Sequence, residues 1–191
     1  MTDSLIIIPT YNEKENIEKI IRKIFALKKF FHVLIIDDGS PDKTADIIKS
    51  LQKEFPKQLH LQERTEKLGL GTAYIHGFKW ALNRDYQFIF EMDADFSHNP
   101  NDLVKLYKAT DKSGGIAIGS RYVKGVNIVN WPMSRLLMSF FASKYVKLIT
   151  GMPIHDSTAG FKCYKREVLE TIKLDKIQFV GYAFQIEMKF K

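Results

Sequence analysis

The stretch FIFEMDADFSHNP, residues 88–100, joins a run of apolar residues to two carboxylates that stand one residue apart, Asp93 and Asp95. A short apolar run that ends at turn residues predicts a strand buried in a sheet. Two neighbouring carboxylates repel each other, and a divalent cation removes that conflict. Mg²⁺ binds one or two protein carboxylates and completes its shell with water and phosphate oxygens. The stretch therefore predicts a metal site at a strand end.

The alternative for this Asp-Ala-Asp is a helix cap or a turn. An isolated match of two aspartates around one residue is common by chance, and on its own it favours the cap. Its place directly after an apolar strand, in a chain of alternating elements, favours the metal site.

Strands and helices alternate on both sides of this stretch. Apolar runs at residues 4–10, 32–38 and 115–122 predict strands, and a more polar strand is predicted at 58–64. Segments with helical spacing of apolar residues lie between them, the second starting at Ser40-Pro41. This order predicts an α/β fold of mostly parallel sheet with helices on both faces. We expect residues 1–191 to form a single domain.

Composition and charge restrict the class of protein. The net charge of +7 favours anionic partners, although a basic soluble protein without such a partner has the same balance. One cysteine, Cys163, excludes an intrachain disulfide, which fits a reducing compartment such as the cytoplasm.

No apolar run has the length of a membrane span. The last ten residues predict a helix without a capping residue, so we expect the natural chain to continue.

Ligands bind beyond the carboxyl ends of the strands in sheets of this kind. Four predicted strands end in polar or acidic groups, which parallel strands bring to one edge. The four segments are Pro9–Glu13, Asp37–Ser40, Asp93–Asp95 and Gly119–Arg121. This edge is the predicted binding site.

Six segments carry a resemblance to a known family. In chain order they are IIIPTYNEKENI (6–17), VLIIDDGSPDKT (33–44), EMDADFSHNP (91–100), AIGSRYVKG (117–125), NWPMSR (130–135) and DSTAGFKCYKREVL (156–169). Together they resemble the family 2 glycosyltransferases of GT-A fold, and within that family the polyprenol (dolichyl) phosphate mannosyltransferases.

The resemblance implies where the nucleotide-sugar donor binds. It places Pro9, Tyr11 and Glu13 in the nucleotide pocket, with Ile36 and Asp38 beside the base. A carboxylate suits guanine, because the edge of that base offers N–H donors. The alternative for Asp38 is a cap of the helix after Ser40, and both roles could hold for the Asp37-Asp38 pair.

The resemblance also implies a metal and its ligands. It matches Asp93 and Asp95 to the pair that binds Mg²⁺ or Mn²⁺, with Ala94 giving backbone contacts to the donor. Ser97 takes a position where some members have a third metal ligand. Arg121 and Arg135 match basic residues at the reacting phosphates, since a guanidinium binds phosphate through two parallel hydrogen bonds. The alternative for Arg135 is an exposed residue at a helix start.

The implied reaction is an inverting transfer of a mannosyl group from GDP-mannose to a polyprenyl monophosphate. A phosphate acceptor is ionised near neutral pH, so no side chain has to remove its proton. The alternative is another nucleotide sugar or a hydroxyl acceptor. A hydroxyl acceptor would need a base, for which Asp156 is the first candidate.

A lipid acceptor implies contact with a membrane surface. Residues 134–149 have a narrow polar stripe at Arg135, Ser139, Ser143 and Lys147, with apolar residues around most of the helix. Such a helix is typical of the bilayer interface, and the alternative is a helix buried against the sheet. We expect peripheral association with the cytoplasmic face of the membrane.

Nucleic acid is not an expected partner, because the acidic pairs would repel phosphate without a metal. Protein partners remain unknown.

Overall fold

In the computed structural model, residues 2–120, 133–154 and 156–191 are described, except for the side chains of residues 133–137, 140 and 182. These ranges contain a six-stranded sheet in the order β3-β2-β1-β4-β6-β5. The strands are β1 (Ser4–Thr10), β2 (His32–Asp37), β3 (Leu59–Glu63), β4 (Phe88–Glu91), β5 (Ile116–Ile118) and β6 (Lys162–Lys165). β1 to β4 pair in parallel, and β6 lies antiparallel between β4 and β5. The sheet is therefore mixed and mostly parallel, as predicted.

Seven α-helices lie in the same described ranges. They are α1 (Ile17–Phe25), α2 (Thr44–Glu54), α3 (Leu70–Leu82), α4 (Leu103–Ser113), α5 (Met133–Thr150), α6 (Arg166–Thr171) and α7 (Tyr182–Phe190). Short 3-10 turns stand at Pro100–Asp102 and Leu174–Lys176. The order of strand and helix along residues 4–118 is the predicted alternation.

Two apolar cores cover the two faces of the sheet. On one face, Ile6 and Ile8 of β1 pack in a cluster with buried residues of α1, α2 and α4. On the other, Leu5 and Ile7 pack in a cluster with residues of α3, α6 and α7. The alternation follows from the period of two in a strand. At Gly77 of α3 a Cβ would lie 2.6 Å from Cγ2 of Ile7, so only glycine allows this close packing on the central strand.

The second helix does not begin where the sequence predicted. Ser40 and Pro41 precede α2, which begins at Thr44 after Lys43 in a left-handed conformation. The Ser40 hydroxyl donates instead to Oδ1 of Asp37 at 2.6 Å, and the Ser40 N–H donates to Oδ2 at 3.0 Å. These bonds form a tight turn after β2 and hold the chain away from the helix for three further residues.

Candidate active site

A cleft of about 420 Å³ opens at the carboxyl edge of the sheet. Its walls come from the ends of β1, β2 and β4, from the start of α3 and the residues before it, and from the residue before α7. The lining residues are Pro9, Thr10, Tyr11, Glu13, Asp38, Lys67, Gly69, Leu70, Asp93, Ala94, Asp95 and Gly181. The position is the one expected of ligand sites in parallel sheets.

Most of the donor-binding residues proposed from the sequence meet in this cleft. Seven of them line it: Pro9, Tyr11, Glu13, Asp38, Asp93, Ala94 and Asp95. Ile36 does not, because its side chain is fully buried in the core cluster on the α3 face. Ser97 is half-buried near the site but outside the lining. Arg121 and the side chain of Arg135 lie outside the described residues.

The two aspartates after β4 have different surroundings. Asp95 is exposed, and its Oδ1 accepts the N–H of Ser97 at 2.9 Å. Asp93 is partly buried, and its Oδ1 accepts the hydroxyl of Tyr74 at 3.1 Å. The pKa of Asp93 is raised to about 6, chiefly by burial and then by the charge of Asp95, while the Tyr74 hydrogen bond opposes the rise. The pair therefore concentrates negative charge at one wall of the cleft.

Glu13 adds a further acidic group to the lining of the cleft. Burial raises the pKa of Glu13 first, a hydrogen bond from Asn16 opposes this, and the charges of Asp95 and Asp42 add to the rise. Such mutual repulsion is the condition that a bound cation relieves.

The carboxylates of Asp93 and Asp95 fit a divalent cation that takes its other ligands from water and phosphate. Among residues 2–120, 133–154 and 156–191, no group of three or more His, Cys, Asp or Glu side chains is arranged to hold a metal ion. Two carboxylates with open coordination positions are nevertheless what Mg²⁺ uses when phosphate oxygens and water complete its shell. A side chain at position 160 would crowd this carboxylate, since a Cβ on Gly160 would lie 3.3 Å from Asp93 Oδ2.

Asp38 is neither a helix cap nor a free carboxylate. Arg64, which follows β3, donates from Nε to Oδ1 at 2.6 Å and from Nη2 to Oδ2 at 2.7 Å. Arg64 Nη1 also donates to Thr72 Oγ1 at 2.8 Å, which ties the pair to the start of α3. The sequence analysis did not identify Arg64, whose contact with Asp38 follows from the strand pairing. β2 and β3 pair Asp37 with Glu63, so the next residues, Asp38 and Arg64, are neighbours.

Lys67 is a cleft residue that the sequence analysis missed. Its Nζ lies 4.2 Å from the ring centroid of Tyr11, and both side chains line the cleft. A cation over an aromatic face is a favourable contact. Lys67 brings positive charge to a cleft whose other charged lining residues are acidic.

A buried ionic network lies directly behind the acidic wall. Nζ of Lys162 is 3.0 Å from Oε1 of Glu91, and both side chains are fully buried. Oε1 of Glu91 also accepts the Tyr164 hydroxyl at 2.7 Å, and Oε2 accepts Nε2 of Gln185 at 2.8 Å. Burial lowers the pKa of Lys162, and the Glu91 carboxylate opposes the change. The network joins β4, β6 and α7 below Asp93.

The loop before β6 closes the same side of the site. Asp156 is 1% exposed, and the carbonyls of Asp156, Ser157 and Ala159 accept hydrogen bonds from Nζ of Lys189 at 3.2, 2.8 and 2.9 Å. His98, in the loop after Asp95, is buried, and its ring stacks on Phe161 with centroids 4.8 Å apart.

α5 presents apolar side chains to solvent. Exposed residues at helical spacing are Met138, Phe141, Tyr145, Leu148 and Ile149. Two members of the polar stripe face the protein: Ser143 is buried and accepts the N–H of Ser157 at 3.3 Å, and Ser139 Oγ lies 3.4 Å from Thr158 Oγ1. Lys147, also in the stripe, is exposed. The described side chains of α5 therefore contradict a helix buried against the sheet. No helix in the described ranges is both long and apolar enough to cross a membrane.

Comparison with curated proteins gives clear relatives. The model of the family "Glycosyl transferase family 2" matches residues 5–173. "Polyprenol monophosphomannose synthase" of Mycolicibacterium smegmatis is 45% identical over 188 residues, which are 98% of this chain and 71% of the relative. "Undecaprenyl-phosphate mannosyltransferase" of Micrococcus luteus is 42% identical over 98% of this chain and 76% of its own. "Dolichol-phosphate mannosyltransferase" of Pyrococcus furiosus is 38% identical over 91% and 49%.

Solved structures share the fold at low identity. S. aureus TarS 1-349 superposes with a TM-score of 0.66 at 19% identity, over 98% of this chain and 54% of that one. A mannosyltransferase from Pyrobaculum calidifontis, in complex with GDP-Man and Mn²⁺, gives 0.61 at 20% identity, over 90% and 46%. The chain thus spans about half the length of these two structures.

Proposed function

The chain belongs to glycosyl transferase family 2 and has the GT-A fold, and from this premise we propose that it transfers a mannosyl group from GDP-mannose to a polyprenyl monophosphate. The names of the relatives support both halves of the reaction, since each describes mannosyl transfer and a polyprenyl-type phosphate. The observation that carries the proposal is the cleft itself. It brings Asp93 and Asp95, at the end of β4, together with Tyr11 and Asp38.

We propose that guanine is recognised by Asp38. Each carboxylate oxygen has two lone pairs, and Arg64 uses one on each oxygen, so Asp38 can accept further hydrogen bonds from the base. Tyr11 and Lys67 form the neighbouring wall, where an aromatic ring can stack and an ammonium can contact phosphate. Pro9, Glu13 and Ala94 complete the proposed donor site.

Asp93 and Asp95 would hold Mg²⁺ or Mn²⁺, with Ser97 as a further candidate ligand. The Mn²⁺ in the Pyrobaculum complex supports this choice. When bound, the cation would neutralise charge that develops on the diphosphate leaving group.

The acceptor phosphate would attack from the side opposite the diphosphate, which inverts the anomeric centre. The acceptor arrives ionised, so the chain's own contribution is positioning and charge stabilisation. By resemblance, Arg121 and Arg135 would bind the reacting phosphates. Asp156 is not needed as a base, and its burial fits a structural role.

The lipid acceptor would be reached from a membrane surface. We propose that the exposed apolar side chains of α5 contact the bilayer, with Lys144 and Lys147 beside anionic headgroups. We accordingly propose that the protein lies at the periphery of a membrane, on its cytoplasmic face.

A thermal-shift comparison with GDP and UDP tests the donor. With Mn²⁺ present, GDP at 100 times its dissociation constant should add about 2.7 kcal/mol to the free energy of unfolding. UDP at equal concentration should add less. Transfer of radiolabel from GDP-mannose to a polyprenyl phosphate then tests the reaction. Greater stabilisation by UDP, or transfer to a hydroxyl acceptor alone, would replace the proposal by another family 2 activity.

A further inference from the structure

The hydroxyl of Tyr74 is fully buried and reaches one of the proposed metal ligands. It donates from α3 to Oδ1 of Asp93, just after β4, at 3.1 Å. A buried hydroxyl is costly unless it is hydrogen-bonded, so this contact has to be kept when the protein folds. It fixes the distance between the helix and the residue that follows the strand.

The ring of Tyr74 has little freedom to turn away. It stacks on Phe184 with centroids 6.0 Å apart and planes within 3°, and on Phe78 at 6.2 Å. On the other side of the carboxylate, a Cβ on Gly160 would lie 3.3 Å from Asp93 Oδ2. The carboxylate of Asp93 is thus held at Oδ1 by a hydrogen bond, and the glycine at position 160 leaves Oδ2 clear of a neighbouring side chain.

We infer that Tyr74 is a positioning residue for the metal site, holding Asp93 in the orientation that lets it bind a divalent cation together with Asp95. The inference rests on the proposed function, since it takes Asp93 as a metal ligand. Carboxylates that bind metals are themselves hydrogen-bonded, and loss of such a partner typically costs 10- to 100-fold in metal affinity. Tyr74 would not touch the donor, because it lies behind the cleft wall and outside its lining.

The chain contains a matched control. Tyr164 is also fully buried, and its hydroxyl also donates to a carboxylate, Oε1 of Glu91, at 2.7 Å. Glu91 lies outside the cleft lining. A change that merely loosens the core should affect Tyr74→Phe and Tyr164→Phe alike, whereas a positioning role affects the metal only in the first.

The experiment is a calorimetric titration of Mn²⁺ into wild type, Tyr74→Phe and Tyr164→Phe, each saturated with GDP. We expect Mn²⁺ affinity to fall by about 10- to 100-fold in Tyr74→Phe. We expect it to stay within about two-fold of wild type in Tyr164→Phe, and both variants should bind GDP alone as wild type does. If Tyr74→Phe does not fold, Tyr74→Met, which removes the hydroxyl and fills the site with a flexible apolar side chain, takes its place.

Three outcomes would overturn the inference. Wild-type Mn²⁺ affinity in Tyr74→Phe would remove the positioning role while leaving the proposed function intact. An equal loss in Tyr164→Phe would show a general effect of core hydroxyls. Absence of Mn²⁺ binding by the wild type would instead contradict the metal dependence in the proposed function. It would also contradict the positioning role of Tyr74.

Discussion

Arg64 holds the carboxylate of Asp38 through two parallel hydrogen bonds, and both side chains are nearly buried, at 10% and 7% exposure. The two residues follow neighbouring strands, β3 and β2, so the contact lies at the sheet edge that forms the cleft. Arg64 also binds Thr72 at the start of α3. The geometry leaves Asp38 one fixed orientation toward the cleft.

Replacing Arg64 by lysine should therefore weaken recognition of the donor base. An ammonium keeps the charge but cannot form the planar two-bond contact. Loss of one charge-assisted hydrogen bond predicts a rise of about 10-fold or more in the dissociation constant for GDP, and a smaller rise for UDP. Arg22→Lys is the control, because Arg22 binds Glu54 in the same two-bond manner on the exposed surface. Equal losses for GDP and UDP would contradict base recognition through Asp38.

Asp95→Ala should abolish transfer without unfolding the protein. Asp95 is exposed at a strand end, so its removal leaves no cavity in the core. Asp93→Ala should act in the same way on transfer. Circular dichroism and the melting temperature check the fold, and radiolabel transfer checks the activity. Asp85→Ala, which removes an exposed carboxylate away from the cleft, serves as the control. Normal transfer by Asp95→Ala in the presence of a chelator would exclude the metal role.

The pH dependence of stability should report the buried carboxyl of Asp93. Its pKa is raised from the ordinary 3.8 to about 6, so between these values the native state holds a proton that the unfolded state has lost. Stability of the metal-free protein should thus fall as pH rises from about 4 to 6, by an amount on the order of 3 kcal/mol. Urea unfolding across this range measures the slope. Asp93→Asn cannot ionise and should flatten it; an unchanged slope in that variant would assign the effect to other groups.

Binding of the protein to lipid vesicles should depend on the apolar face of α5. Leu148 and Ile149 are 81% and 66% exposed, so charged substitutions there should leave the folded state intact. Moving a leucine side chain from water into an apolar phase contributes about 1.5–3 kcal/mol, so Leu148→Asp should weaken binding by about 10-fold or more. Co-sedimentation with anionic vesicles gives the measurement. Phe30→Asp, at an exposed aromatic residue outside α5, is the control, and equal effects of both changes would count against α5.

The sequence predicts the parallel part of the sheet well, because β1, β2 and β4 are apolar runs that only a buried strand explains. It does not predict β6 between β4 and β5. That strand includes Lys162, which is buried only because Glu91 from β4 pairs with it. A buried charge depends on a partner about seventy residues away, so no local pattern indicates it.

The same reason explains why the sequence predicts some residues of the cleft region and not others. Asp93, Asp95 and Tyr11 follow apolar strands, and the carboxyl ends of parallel strands meet at one edge. Tyr74 and Lys67 reach the site from α3 and the loop before it, where their spacing is that of an ordinary amphipathic segment. Ile36 was placed beside the base, but alternation along β2 turns its side chain into the core.

The absence of a required base gives the last prediction. Asp156 is the first candidate for the general base that a hydroxyl acceptor would require. It is 1% exposed and lies in a loop whose carbonyls accept hydrogen bonds from Lys189. Removal of a true general base costs about 10²- to 10⁴-fold in rate. Asp156→Asn keeps the size of the side chain and removes its basicity, so with a phosphate acceptor most of the turnover should remain.

Arg121→Lys provides the comparison, because its role at the reacting phosphates is expected from the family resemblance. The ammonium keeps the charge and loses the two-bond contact with phosphate, so this variant should lose more turnover than Asp156→Asn. Both are measured with polyprenyl phosphate in detergent or in membranes. A loss of about 10³-fold in Asp156→Asn is what general-base catalysis predicts. Together with near-normal turnover in Arg121→Lys, that loss would make a hydroxyl the better acceptor, because only a hydroxyl has a proton that must be removed during attack.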